Sequence, residues 1–92
     1  MYYATSEEGE FDVWVNPAGV YQLTFRLPAD MVIQIDIYDV NGNLLETVYS
    51  GQVEGETDYV VIVPKGRLAS GAYVFKLSGD GIQLTTIEFV SP

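Results

Sequence analysis

Three features predict an all-β fold, an immunoglobulin-like antiparallel β-sandwich of about seven strands. Apolar and polar residues alternate in short runs, turn signals recur at about ten-residue spacing, and no stretch has helical periodicity. The clearest run is VIQIDIYDVNGNLL over residues 32–45. Ile33, Ile35 and Ile37 fall at every second position, with Gln34 and Asp36 between them, the period of a half-buried strand. Asn41-Gly42 interrupts the run. That dipeptide tolerates the two positive φ angles of a type I′ turn, so Leu44, Leu45, Val48 and Tyr49 are expected to return as the antiparallel partner.

The other elements follow in order. Residues 1–10 read as a flexible arm or linker whose acids, Glu7, Glu8 and Glu10, are solvated. The sandwich domain occupies residues 11–92. Phe11, Val13 and Val15 alternate with Asp12 and Trp14 as a first strand, ended by Asn16-Pro17. Trp14 points away from the apolar set, so it is either covered by the arm or exposed. A second strand places Tyr21, Leu23, Phe25 and Leu27 inward and Gln22, Thr24 and Arg26 outward. After the central hairpin, residues 51–56 read as a loop. Tyr59 to Val63 is nearly continuously apolar and β-branched, which suits a strand covered on both faces or lying against a loop. Pro64-Lys65-Gly66 stops it, and Leu68 is expected to plug one end of the core. Tyr73, Phe75 and Leu77 alternate as the next strand, followed by a Ser78-Gly79-Asp80-Gly81 hairpin loop. In the last strand the apolar parity changes between Leu84 and Ile87. A bulge at Thr85-Thr86 would keep Ile87 and Phe89 inward.

Composition excludes several function classes. The 92 residues form one small domain. A chain of this size buries roughly 60–65% of its unfolded surface, enough for a core without metal or disulfide. Cysteine is absent, which excludes a disulfide framework and a thiolate metal site and leaves the compartment open. Thirteen acids against four bases give a formal charge of −9. Nucleic acid needs clustered cations, and Arg26, Lys65, Arg67 and Lys76 are too few and too scattered. An anionic membrane surface is disfavoured for the same reason. No run approaches the ~18 apolar residues of a membrane span, so no membrane insertion is expected. Met1-Tyr2-Tyr3 lacks the regions of a secretory signal peptide.

Chemistry is sparse. Without His or Cys there is no Ser-His-Asp or Cys-His nucleophile system, and a zinc site would need carboxylates alone. Asp36 and Asp39 are close in sequence but lie on a strand and before its turn, so no catalytic pair is assigned. The expectation is a non-enzyme with no cofactor and no metal. Asp39-Val40-Asn41-Gly42-Asn43 has the D-x-N-x-N spacing of a calcium loop. Leu44 and Ser50 stand where that loop needs Gly and Glu, and the Asn-Gly turn explains the same residues. Glu54, Glu56 and Asp58 read as a solvated loop patch. Gly79-Asp80-Gly81 lacks a following helix and carries an acid that repels phosphate. Trp14, Tyr38 and Tyr49 are the candidates for an aromatic binding surface.

Several segments carry a resemblance. Asn16-Pro17, Leu27-Pro28, Ile35-Asp36-Ile37-Tyr38-Asp39-Val40-Asn41-Gly42 and Leu68-Ala69-Ser70-Gly71-Ala72-Tyr73, in this order, resemble the type A C-terminal sorting domain of the type IX (Por) secretion system of Bacteroidota. The order is also similar to the related immunoglobulin-like domain of flagellar hook-capping proteins. The likeness spans residues 11–90. It implies a sorting or secretion module at the C-terminus of a surface or secreted cargo, recognised by outer-membrane secretion machinery. It makes Asn16, Pro17, Tyr38, Asp39, Gly42, Leu68, Ala69, Ser70, Gly71 and Tyr73 signature positions, and it implies an extracellular or cell-surface location. Such domains usually finish on a strand carrying lysines, whereas this chain has no base after Lys76. Two other uses of the sandwich therefore stay open. One is a structural subunit of an extracellular filament or adhesin, self-associating by strand addition. The other is an accessory carbohydrate-binding module. In the first two readings the partner is a protein.

Overall fold

The structure, a computed structural model, describes residues 4–6, 9–15, 20–63 and 71–90. They form eight strands: β1 Ala4–Ser6, β2 Gly9–Val15, β3 Tyr21–Arg26, β4 Met31–Asp39, β5 Leu44–Val53, β6 Tyr59–Val63, β7 Gly71–Ser78 and β8 Gln83–Val90. Two antiparallel sheets result, ordered β1-β2-β3-β6 and β5-β4-β7-β8. Apart from the three-residue β1 there are seven strands, as the sequence predicts, divided between a three-stranded and a four-stranded sheet. The chain leaves the first sheet after β3 and returns to it at β6. It leaves the second after β5 and returns at β7. This crossed connectivity, with two sheets face to face, is the immunoglobulin-like sandwich.

Alternation builds the core. Phe11 and Val13 from β2 and Tyr21, Leu23 and Phe25 from β3 meet Ile33, Ile35 and Ile37 from β4 and Phe75 and Leu77 from β7, all buried. Tyr21 and Phe75 touch between the sheets, with ring centroids 6.1 Å apart. Each such side chain contributes about 1.5–3 kcal/mol by leaving water, so this buried set holds the layers together.

The central hairpin exists, but its turn is of another type. Asn41 does not have a positive φ, whereas Gly42 does, at 87°. Gly42 N–H donates to the Asp39 carbonyl at 3.1 Å, and Asp39 N–H donates to the Asn43 carbonyl at 3.0 Å. This is a three-residue loop, a type I turn followed by a glycine bulge, not the two-residue I′ turn expected. Asp39 explains the choice. One of its carboxylate oxygens accepts the N–H groups of Asn41 and Asn43, each at 2.9 Å, and aspartate at the first position favours type I.

Four other expectations change. Part of the presumed arm is structured: Ala4, Thr5 and Ser6 pair with Phe11, Glu10 and Gly9. Residues 51–53, expected in a loop, extend β5 to Val53. Gly55 then passes so close to the 27–30 turn that a Cβ would lie 2.5 Å from the Ala29 Cα, and its N–H donates to Asp30 at 2.8 Å. The acids of this loop, Glu54, Glu56 and Asp58, are exposed to solvent, as expected. Asp58 pairs with Arg26 at 3.3 Å, and the Glu54 N–H donates to the Tyr59 hydroxyl at 2.8 Å. β6 is not covered on both faces. Among the described residues it pairs only with β3, and Val60 and Ile62 are exposed because they lie on its outer side.

The last correction concerns β8. No bulge interrupts it; its pairing with β7 runs in register from Ser78–Gln83 to Gly71–Val90. Leu84 and Thr86 therefore face the core, and Ile87 and Phe89 face solvent. The bulges of this sheet lie in β5 instead, at its shifts against Ile35/Asp36 and Ile37/Tyr38. Leu68 and its loop lie outside the described residues.

Candidate functional site

The outer face of the β5-β4-β7-β8 sheet is built from the second residue of each pair along its strands. Its centre is polar and organised by Asp36. This carboxylate sits on the solvent side of β4 yet is only 5% exposed. Gln34 Nε2 donates to both of its oxygens at 2.9 and 3.0 Å. Thr47 Oγ1 donates at 2.6 Å, and the Tyr38 hydroxyl reaches it at 3.5 Å. The bulge in β5 makes this possible: Tyr49 is paired with Ile35 but Thr47, not Val48, with Asp36. Across the other edge of β4, Lys76 is paired with Asp36, and its ammonium lies 5.5 Å from the centroid of the Tyr38 ring. A cation over an aromatic face is attractive by about 0.5–1 kcal/mol at an exposed site.

Beside this polar centre the face turns apolar. Pairing aligns Leu44, Tyr38, Val74 and Ile87 in one row across all four strands, and Phe89 lies beside Ala72 one step further. Leu44 is 55%, Ile87 52% and Phe89 72% exposed. A hollow of ≈ 380 Å³ opens over the middle of the face, lined among others by Tyr38, Val74, Lys76 and Thr85, with Asp39 at its turn end. Hydrogen bonds from Asn43 and Asn41 hold the Asp39 carboxyl below its usual range, so this rim is anionic. Asp36 is the only carboxylate among the described outward-facing strand residues of this sheet, and it is covered. Lys76 is the only such cation.

The signature positions divide. Asn16, Pro17, Leu68, Ala69 and Ser70 lie outside the described residues. Tyr38, Asp39, Gly42, Gly71 and Tyr73 converge on one end of the sheet, where Asp39 is paired with Tyr73. Tyr73 is buried in the core, so its role there is packing. Asp39 uses its oxygens on its own turn: besides the two backbone donors, Asn43 Nδ2 reaches the second oxygen at 2.9 Å. The calcium-like spacing is thus a turn, and among the described residues no cluster of three or more His, Cys, Asp or Glu side chains stands ready to hold a metal.

The three aromatic candidates do not form one surface. Trp14 lies on the outer face of the other sheet, in a row with Gln22 and Ile62. Tyr38 lies on the face described above, with Lys76 over its ring. Tyr49 turns to the margin of the core, its ring 5.9 Å from that of Phe25. Sequence reasoning missed Ile87, Phe89 and Leu44. The parity change after Leu84 was the available signal, and an unbroken strand with an apolar outer side explains it as well as a bulge does.

Fold and surface together define an immunoglobulin-like β-sandwich presenting one apolar, charge-poor sheet face. In comparisons with known proteins, no family model and no curated protein matches the chain.

Proposed function

We propose that this sandwich is a non-catalytic sorting or secretion module at the C-terminus of a surface or secreted bacterial protein. One observation carries the reading. Two of the segments that carry the resemblance, Ile35 to Gly42 and Leu68 to Tyr73, are distant in sequence, yet in their described parts Asp39 is paired with Tyr73. Such clustering suits a recognition element better than scattered turn residues do. The non-catalytic part rests on side-chain chemistry. The chain has no His and no Cys, and Asp36 and Asp39 have their oxygens engaged by neighbouring donors.

A structural subunit of a filament or adhesin is the second reading, favoured by β6. This edge strand carries exposed Val60 and Ile62 and, among the described residues, pairs on one side alone, the feature that strand addition requires. The separation of Trp14, Tyr38 and Tyr49 counts against a carbohydrate platform.

The test is a reporter with a signal peptide, fused upstream of residues 1–92 and expressed in a Bacteroidota strain with an active type IX system. The expected result is reporter on the surface or in the medium, dependent on both the domain and the system. Reporter retained in the periplasm with the domain attached contradicts the sorting reading.

A further inference from the structure

We propose that the outer face of the β5-β4-β7-β8 sheet docks a protein of net positive charge through an apolar contact surface. This goes beyond the sorting reading and does not depend on it, because it rests on the chemistry of the face alone.

Three observations lead there. First, the apolar row reaches from Leu44 at one edge to Ile87 at the other, roughly 14 Å across three strand spacings, with Phe89 beside it. Second, the register that exposes Ile87 and Phe89 simultaneously turns Thr86 and Glu88 inward. Thr86 is buried at 1% exposure, and one carboxylate oxygen of Glu88 is buried without a hydrogen bond. A single bulge would reverse both placements, so the folded strand keeps apolar groups outside against the simple hydrophobic preference. Third, in a chain of 13 acids this face carries one outward carboxylate, Asp36, shielded beneath Gln34, Thr47 and Tyr38, and one cation, Lys76, which lies over the Tyr38 ring. Depletion of charge around exposed aliphatic and aromatic groups is what the centre of a protein interface requires, since few ions must be stripped of water there.

Charge complementarity selects the occupant. Around the neutral face the molecule is anionic: Asp39 at the rim is held ionised by its turn, and the chain carries −9 overall. Such a field draws a cationic partner and repels a second copy. Area argues the same way. Four strands at about 4.8 Å and eight residues at about 3.3 Å cover roughly 500 Å², short of the ~800 Å² per partner of a stable assembly. The face therefore suits a contact completed by a larger, basic partner extending over the anionic rim.

The experiment places a photo-crosslinking benzoylphenylalanine at Leu44, at Phe89 and, as a control on the opposite sheet, at Val60. The full-length protein is irradiated in the cells that make it, and adducts are identified by mass spectrometry. The expected result is one basic protein joined at positions 44 and 89, with at least about tenfold less adduct at position 60. Ile87→Gln, an exposed neutral change, lowers the adduct several-fold. The purified partner binds with an affinity that falls about tenfold between roughly 0.05 and 0.5 M salt. Adducts to a second copy of the chain, to an acidic protein, or equally from position 60 overturn the proposal, as does the absence of any adduct.

Discussion

β4 and β8 belong to the same sheet, both alternate, and they dispose of their apolar residues in opposite ways. β4 turns Ile33, Ile35 and Ile37 into the core and leaves Gln34 and Tyr38 outside. β8 turns Thr86 and Glu88 inward and leaves Ile87 and Phe89 in solvent. Position explains part of the contrast. β4 is a central strand flanked by β5 and β7, while β8 lies at the sheet's edge and, among the described residues, takes its register from β7 alone. Because side chains alternate strictly, a shift of one residue would exchange the two sides of β8. Its outward apolar pair is therefore a property of the whole ladder: Ile87 lies in the same row as Tyr38 and Val74, and Phe89 beside Ala72 one step further. The lesson is that β4 specifies the fold whereas β8 specifies a surface.

Substitutions break or sharpen this contrast. The largest effect is expected from Ile35→Ala. The side chain is fully buried, and its loss leaves a cavity costing about 2–5 kcal/mol, a large share of the ~5–15 kcal/mol that stabilises an ordinary domain. Urea unfolding at neutral pH reads this as a fall in midpoint.

Asp36→Ala should come next, at about 1–3 kcal/mol, because it removes the hydrogen bonds that the Thr47 hydroxyl and the Gln34 amide donate to a charged, covered carboxylate. Asp36→Asn should cost less, since an amide oxygen still accepts. Equal losses for the two variants would mean that the network contributes little. Gly42→Ala should follow, at about 1–2 kcal/mol, because φ there is 87°; thermal unfolding measures it.

Glu88 offers a pH-dependent test. Burial, with the Asp12 carboxylate adding to it, pushes its carboxyl above the usual glutamate range. A raised carboxyl binds its proton more tightly in the folded state, so ionisation destabilises the fold. That cost is present in full at neutral pH. It is relieved as pH falls through the raised value and is gone below the ordinary glutamate pKa. Glu88→Gln should therefore be more stable than wild type at pH 7 and equal to it in acid, as read from unfolding midpoints across pH. A variant less stable than wild type at pH 7 would show that the ionised carboxylate is an asset in place.

The smallest effect on stability is expected from Phe89→Ala, within about 0.5 kcal/mol, as for surface positions generally. Set beside Ile35→Ala, it isolates the difference between the two strands: a loss comparable to that of Ile35→Ala would place Phe89 in the core.

The isoleucine row of β4, the inward set of β3 and the hairpin after Asp39 could be read directly, because period two and a turn dipeptide are local properties of the chain. The turn type could not, since it depended on which donors the Asp39 carboxylate would capture. The bulges were misplaced for a similar reason. Parity within β8 cannot say whether Thr86 or Ile87 faces inward until β7 fixes the register, and nothing in residues 44–53 marks Leu45 and Val48 as extra. Asp36 read as an ordinary outward polar residue; its burial arises only when Thr47 arrives from β5. The candidate face was illegible for that reason. Its row draws one residue from each of four strands, and only the strand order brings Leu44 and Ile87 onto one surface.

The register of β7 against β8 carries the central claim, and solution NMR measures it directly. The account predicts cross-strand nuclear Overhauser contacts linking Val74 to Ile87 and Ala72 to Phe89, with strong broadening of the Phe89 ring signals by a soluble paramagnetic agent. Contacts displaced by one residue beyond Thr86, together with a Phe89 ring protected from that agent, would contradict it.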